Sequence, residues 1–247
     1  MKLRITLPRF RGVCSGDPKI AVMGPLRSGT NLVARLLEKH WRVATDFNCY
    51  GWKHAGVPIL GPSSGLAYPN TPIVWVCKCP YSLTVSLHRY RFGSTSGRGL
   101  SLEGAPDFSD FLRSPITIWD SQLSNSPSLR FANPVQYWNF ITWNFESLDP
   151  ARFNTIGFNY EDILADPQVL NRVENLVPIK RREVGPIELP KKQMGRGIRQ
   201  AKDGVGEFDA AAYLSKSYLA SYTPDDLAFI ATQVDPWLMQ RRGYGLP

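Results

Sequence analysis

The sequence is short of the groups that build metal centres and of the runs that cross membranes. It has 3 histidines and 4 cysteines. Cys14, Cys49, Cys77 and Cys79 make no Cys-x-x-Cys pair and no paired His–Cys spacing, which removes the usual zinc patterns, so no metal site is expected. Cys77 and Cys79 stand at strand spacing, on one side of a sheet, and read as buried free thiols. Nothing demands an oxidising compartment. No apolar stretch reaches the roughly 18 residues that span a bilayer. The basic N-terminus lacks the apolar run of a signal peptide, so the expected location is cytoplasmic. No internal repeat is visible.

Negative charge is also scarce, with 21 acidic residues against 29 basic ones and a net charge of +8. That balance favours an anionic partner: nucleic acid, an acidic glycan, a membrane surface or a highly charged nucleotide. Basic residues crowd the start of the chain at Lys2, Arg4, Arg9 and Arg11, and again from Lys180 to Lys202. With 43% hydrophobic and 20% charged residues, the composition is that of one globular core. A single domain over residues 1–247 is expected, with a basic arm at 1–18 and a basic loop or lid at 178–206.

Strands alternate with helices. Lys19 to Met23 is a short apolar run that ends in Gly24-Pro25, and Leu32, Val33, Leu36 and Leu37 follow at helical spacing. Ile73 to Cys77 is apolar on both faces, as a covered parallel strand is. Pro80 then fits a first helical turn, with Leu83, Leu87 and Tyr90 on one face. Thr155 to Phe158 leads into a helix bearing Val169, Leu170, Val173, Leu176 and Val177 on one side. Thr223-Pro-Asp-Asp226 is a capping-box pattern, Leu227, Ile230 and Val234 follow as a stripe, and Pro236 stops or kinks that helix. Residues 93–109 read as a surface loop. The order predicts an α/β fold with a central parallel sheet flanked by helices.

Gly24-Pro-Leu-Arg-Ser-Gly-Thr30 follows a strand and opens a helix, where converging N–H groups and the helix terminus favour an anion. The spacing Gly24-x-x-x-x-Gly29 begins as a nucleotide-phosphate loop does. The Lys and Ser/Thr pair that should follow, with its hydroxyl for Mg²⁺, is missing: Thr30 and Asn31 stand there, and the cation is inside the loop at Arg27. That argues against an ordinary ATPase, GTPase or kinase.

Pro25-Leu26-Arg27-Ser28-Gly29-Thr30 resembles the 5′-phosphosulfate loop of the sulfotransferases that use PAPS (3′-phosphoadenosine 5′-phosphosulfate), with Leu26 interposed. Lys78-Cys79-Pro80 through Ser86 resembles that family's second signature, with Lys78 for its Arg and Ser82 for its Asp. Lysine keeps the charge but not the bidentate fork. Asn159-Tyr160-Glu161-Asp162-Ile163-Leu164 resembles its Tyr-Glu-Asp-Leu segment. The resemblance covers roughly residues 19–167. It implies a P-loop-like fold, metal-independent sulfuryl transfer and PAP (3′-phosphoadenosine 5′-phosphate) as product. It implies a donor site of Arg27, Ser28, Gly29, Thr30, Asn31, Lys78, Ser86, Tyr160 near the adenine, and Arg196.

Arg27 is the candidate for neutralising the transferred group. Among bases, His54 in Trp52-Lys53-His54 is favoured, with Lys53 as a neighbouring cation and Asp46 or Glu103 as carboxylate alternatives. His40 is expected to face solvent at a helix end, and His88 either aids the 3′-phosphate or packs. Trp138, Ile141 and Phe145 share a helical core face, leaving Tyr137 or Trp143 as a surface for a sugar ring. The acceptor is a hydroxyl or amine, a carbohydrate included. The rivals are a P-loop kinase or NTPase, a basic protein that binds an anionic polymer, and a sulfotransferase relative that binds nucleotide without turnover.

Overall fold

The computed structural model describes residues 16–58, 69–92, 100–102, 107–118, 129–191 and 208–245. In chain order these form β1 (Lys19–Met23), α1 (Thr30–His40), β2 (Ala44–Asp46), β3 (Ile73–Cys77), α2 (Pro80–Phe92), β4 (Leu100–Leu102), α3 (Phe108–Arg113), β5 (Ile116–Ile118) and β6 (Leu129–Phe131). There follow α4 (Pro134–Glu146), β7 (Thr155–Asn159), α5 (Tyr160–Ala165), a 3-10 helix (Pro167–Asn175), α6 (Ala211–Leu214), a second 3-10 helix (Ser217–Ser221), α7 (Pro224–Gln233) and α8 (Pro236–Arg241).

β2, β1, β3 and β7 lie side by side in that order, all parallel, and helices cover both faces. Alternate residues of a strand point to opposite faces, and the core divides accordingly. Ala21, Met23, Ile73, Trp75 and Cys77 pack with α2, α3, α4, α7 and α8. Ile20, Val22, Val74, Val76 and Phe158 pack with α1, α5 and the first 3-10 helix. Gly157 lies beside Trp75, where a Cβ would stand 2.5 Å from the indole, so only glycine leaves room for that ring. Cys77 and Cys79 are buried free thiols. No helix among the described residues is long and apolar enough to cross a membrane.

Several details differ from expectation. β4, β5 and β6 form a small antiparallel sheet, so residues 100–102 are strand rather than loop. Strands of three residues are too short to show a period. The apolar residues after β7 are divided between α5 and a 3-10 helix, because Asp166-Pro167 ends one and caps the next. His40 is fully buried: the segment around Lys180 to Arg182 lies over the end of α1, with the Arg182 N–H on the His40 carbonyl at 2.7 Å. The described part of the basic stretch, 178–191, carries neither helix nor strand. Arg196, Glu103 and the arm before residue 16 lie outside the described residues.

The capping box at α7 forms as its sequence predicts. Burial alone would push the Asp226 carboxyl up. Hydrogen bonds from Arg113, Ser109 and Thr223 outweigh that and bring it down to about 2. A depressed carboxyl pKa stabilises the fold above its unfolded value and loses that contribution as pH falls through the folded one. We expect Asp226→Asn to cost about 2 kcal/mol at pH 7. Denaturant titrations should show that gap from wild type closing between about pH 4 and pH 2.

Candidate functional site

The chain passes from β1 to β2 on one side and then from β2 back past β1 to β3 on the other, so the strand order reverses between β1 and β3. In open parallel sheets a crevice forms at the carboxyl ends of the strands at that point. The turn from Gly24 to Gly29 and the segment Lys78 to Pro80 stand there, directly after β1 and β3.

The turn satisfies only part of its own backbone, the Ser28 N–H donating to the Pro25 carbonyl at 3.1 Å. Gly24 has φ 148°, Gly29 φ 95°, and Arg27, which has a Cβ, sits at φ 71°. Further polar groups are met from elsewhere in the chain. The Gly24 N–H donates to the Lys53 carbonyl at 3.0 Å, and His54 Nδ1 donates to the Gly24 carbonyl at 2.7 Å. The Leu26 N–H donates to the Tyr137 hydroxyl at 2.7 Å, which in turn donates to the His54 carbonyl at 2.9 Å. A Cβ at Gly24 would lie 2.3 Å from the Val76 carbonyl oxygen, so β3 presses against the turn.

What the turn leaves open is as informative. α3, α4, α7 and α8 begin with a capping side chain, whereas α1 begins without one and has no acidic residue in its first turn. Its first N–H groups are left for an anion. The Ser28 hydroxyl is fully buried and has no partner. Arg27 is exposed, its guanidinium 5.0 Å from the centre of the Tyr90 ring on α2.

Lys78 and Ser86, eight residues apart around the start of α2, meet with Nζ to Oγ at 2.8 Å. Lys78 is 2% exposed and lies between the rings of Tyr160 and Tyr213, at 4.8 and 4.2 Å. Tyr160 also rests on Gly29, where a Cβ would be 2.4 Å from the ring. Burial draws the Lys78 pKa down, the Glu161 carboxyl pulls it back, and Arg27 draws it down further. On the other side of the turn, Lys53 Nζ donates to Asn31 Oδ1 at 2.5 Å and lies 3.8 Å from the centre of the Phe47 ring. Burial brings Lys53 down to about 7. No carboxylate stands within 4 Å of Arg27, Lys53 or Lys78 among the described residues.

Of the residues singled out in the sequence, Arg27, Ser28, Gly29, Thr30, Asn31, Lys78, Ser86 and Tyr160 share this edge. His54 lies beneath the turn rather than at its mouth. Burial first, then the Lys53 charge, hold its imidazole well below the ordinary range and therefore neutral. Because a carbonyl only accepts, Nδ1 carries the proton and Nε2 is the basic nitrogen. His88 packs on Phe108 and Phe111. Asp46 accepts the Asn48 N–H at the end of β2. Trp143 is 47% exposed, but Tyr137 is fully buried and serves the turn, so it offers no surface to a sugar.

Tyr213 is a site residue that the sequence did not reveal, and Tyr137, expected to offer a surface to a sugar, instead braces the turn. α4 supplies more than Tyr137. The Trp138 indole N–H donates to the Lys78 carbonyl at 2.8 Å, and Asn144 pairs with both the N–H and the carbonyl of Val57 at 2.7 and 3.0 Å. No protein-family model, curated protein or solved structure matches this chain.

An anion seated here favours the charged lysines, so its binding should take up protons. Inorganic pyrophosphate titrated calorimetrically at pH 8 in buffers of different ionisation enthalpy should show net uptake. Its affinity should fall as pH rises above about 7, since both lysines then start neutral. Affinity unchanged from pH 6 to 9 would show that neither lysine meets the anion.

Proposed function

We propose that the protein transfers a sulfuryl group from PAPS to a hydroxyl or amine acceptor, a carbohydrate hydroxyl included, without a metal ion. One observation carries this proposal. Two segments that resemble the sulfotransferase signatures, far apart in sequence, adjoin through Tyr160, which touches Gly29 of one and Lys78 of the other. The unpartnered Ser28 hydroxyl and the uncapped start of α1 add support.

In this scheme the turn from Arg27 to Asn31 holds the 5′-phosphosulfate, Lys78 with Ser86 holds the 3′-phosphate, and Tyr160 lies near the adenine. The acceptor oxygen or nitrogen bonds to sulfur as the bond from sulfur to the phosphate oxygen breaks. PAP departs, and the acceptor proton passes to His54 Nε2. The Arg27 guanidinium offsets charge on the moving group and on the leaving oxygen, as electrostatic positioning does in phosphoryl transfer. The free thiols fit a reducing compartment, and we place the reaction in the cytoplasm.

Calorimetric titration with PAP tests this. Wild type should bind with a Kd of about 1–10 µM, unchanged by EDTA, and Arg27→Ala should weaken binding by at least about tenfold. Arg27→Gly should lose PAP equally yet melt higher than Arg27→Ala, since glycine accepts the left-handed backbone at about 1 kcal/mol less cost. That pair separates the guanidinium from the turn's conformation. Absence of PAP binding, or binding of ATP that requires Mg²⁺, would overturn the sulfotransferase assignment.

A further inference from the structure

A cavity of about 200 Å³ opens beyond the carboxyl ends of β3 and β7, lined in part by Cys79, Tyr81, Glu161, Tyr213, Tyr218 and Tyr244. No residue of the turn from Gly24 to Asn31 lines it. Tyr81, Tyr213, Tyr218 and Tyr244 bring four rings to its wall, and the charged residues of its lining, among the described residues, are Glu161, Asp162 and Lys216.

Glu161 defines its chemistry. One carboxylate oxygen accepts the Cys79 N–H at 3.1 Å and the other accepts the Tyr244 hydroxyl at 2.9 Å. Two donors fix the group as an acceptor, yet no lysine or arginine lies within 4 Å of it among the described residues. A carboxylate partly withdrawn from water is costly: burial pushes its pKa up, and the Lys78 charge, beyond ion-pair distance, offsets only part of that. Tyr81, 1% exposed, has a hydroxyl without a partner, and that oxygen can accept a further N–H. Aromatic rings around a carboxylate attract a cation through the ring quadrupole while tolerating its alkyl groups.

We propose that this cavity binds a small organic ammonium ion, its charge against Glu161 and its carbon atoms among the tyrosine rings. An anionic ligand would meet Glu161 and Asp162. The proposal does not depend on sulfuryl transfer: Tyr213 is shared with the Lys78 edge, but no residue of the turn that would hold the sulfuryl donor lines the cavity.

Choline and its uncharged isostere 3,3-dimethylbutan-1-ol, titrated calorimetrically into the full chain, provide the test. Choline should bind with a Kd of about 1 mM or tighter, and the isostere at least about tenfold more weakly. Glu161→Gln keeps an acceptor for the Cys79 N–H and should weaken choline at least about tenfold. Lys216→Gln removes the one cation among the described lining residues and should tighten choline a few-fold. Equal binding of the isostere, absence of choline binding, or a Lys216→Gln variant that binds choline more weakly would overturn the proposal. Adenosine that displaces choline while itself insensitive to Glu161→Gln would overturn it too, marking the cavity as a nucleoside pocket.

Discussion

Arg27, Lys53 and Lys78 stand along one edge of the parallel sheet with no carboxylate in ion-pair reach among the described residues, and the two lysines are buried. A buried ammonium costs several kcal/mol unless it is paired or loses its proton. Here the cost is met in part by ring faces and amide or hydroxyl oxygens: Phe47 and Asn31 for Lys53, and Tyr160, Tyr213 and Ser86 for Lys78. Such partners lower the cost of a charge without neutralising it. Such an edge favours negative charge brought from outside, and the protein's surplus of basic residues adds a long-range field of the same sign.

Much of this edge was legible in the sequence because it depends on local spacing. Gly24 to Thr30 between an apolar strand and a helical stripe announced a turn, and the interval from Lys78 to Ser86 bridges the first turns of α2. The parallel sheet followed from β1, β3 and β7, each long enough to show its character. What stayed hidden depends on contacts between distant segments. Tyr137 reads as an exposed ring for a sugar, and only the fold shows that it is buried with its hydroxyl between Leu26 and His54. Tyr213 belongs to a four-residue helix with no pattern of its own. His40 looked exposed because nothing in its helix reveals that the chain returns near Arg182 to cover it.

The placement of His54 illustrates the difference between residue type and residue environment. A histidine beside a lysine near a phosphate-type turn is an obvious base by composition. In the fold its first task is mechanical, since Nδ1 anchors the Gly24 carbonyl. That same hydrogen bond selects the tautomer, and burial keeps the ring neutral. One contact thus sets the shape of the turn and the protonation of the imidazole together.

α4 touches three segments of the edge at once: Leu26 and His54 through Tyr137, Lys78 through Trp138, and Val57 through Asn144. A helix is stiff along its axis, with a rise of about 1.5 Å per residue, so these anchor points keep fixed intervals. The helix behaves as the back of a comb whose teeth are loops. If it shifts, the turn, the lysine and the imidazole shift together, and their mutual distances survive a displacement that would scatter them if each loop were held separately. Drift of the sequence in those loops is buffered by a helix that itself need never touch a ligand.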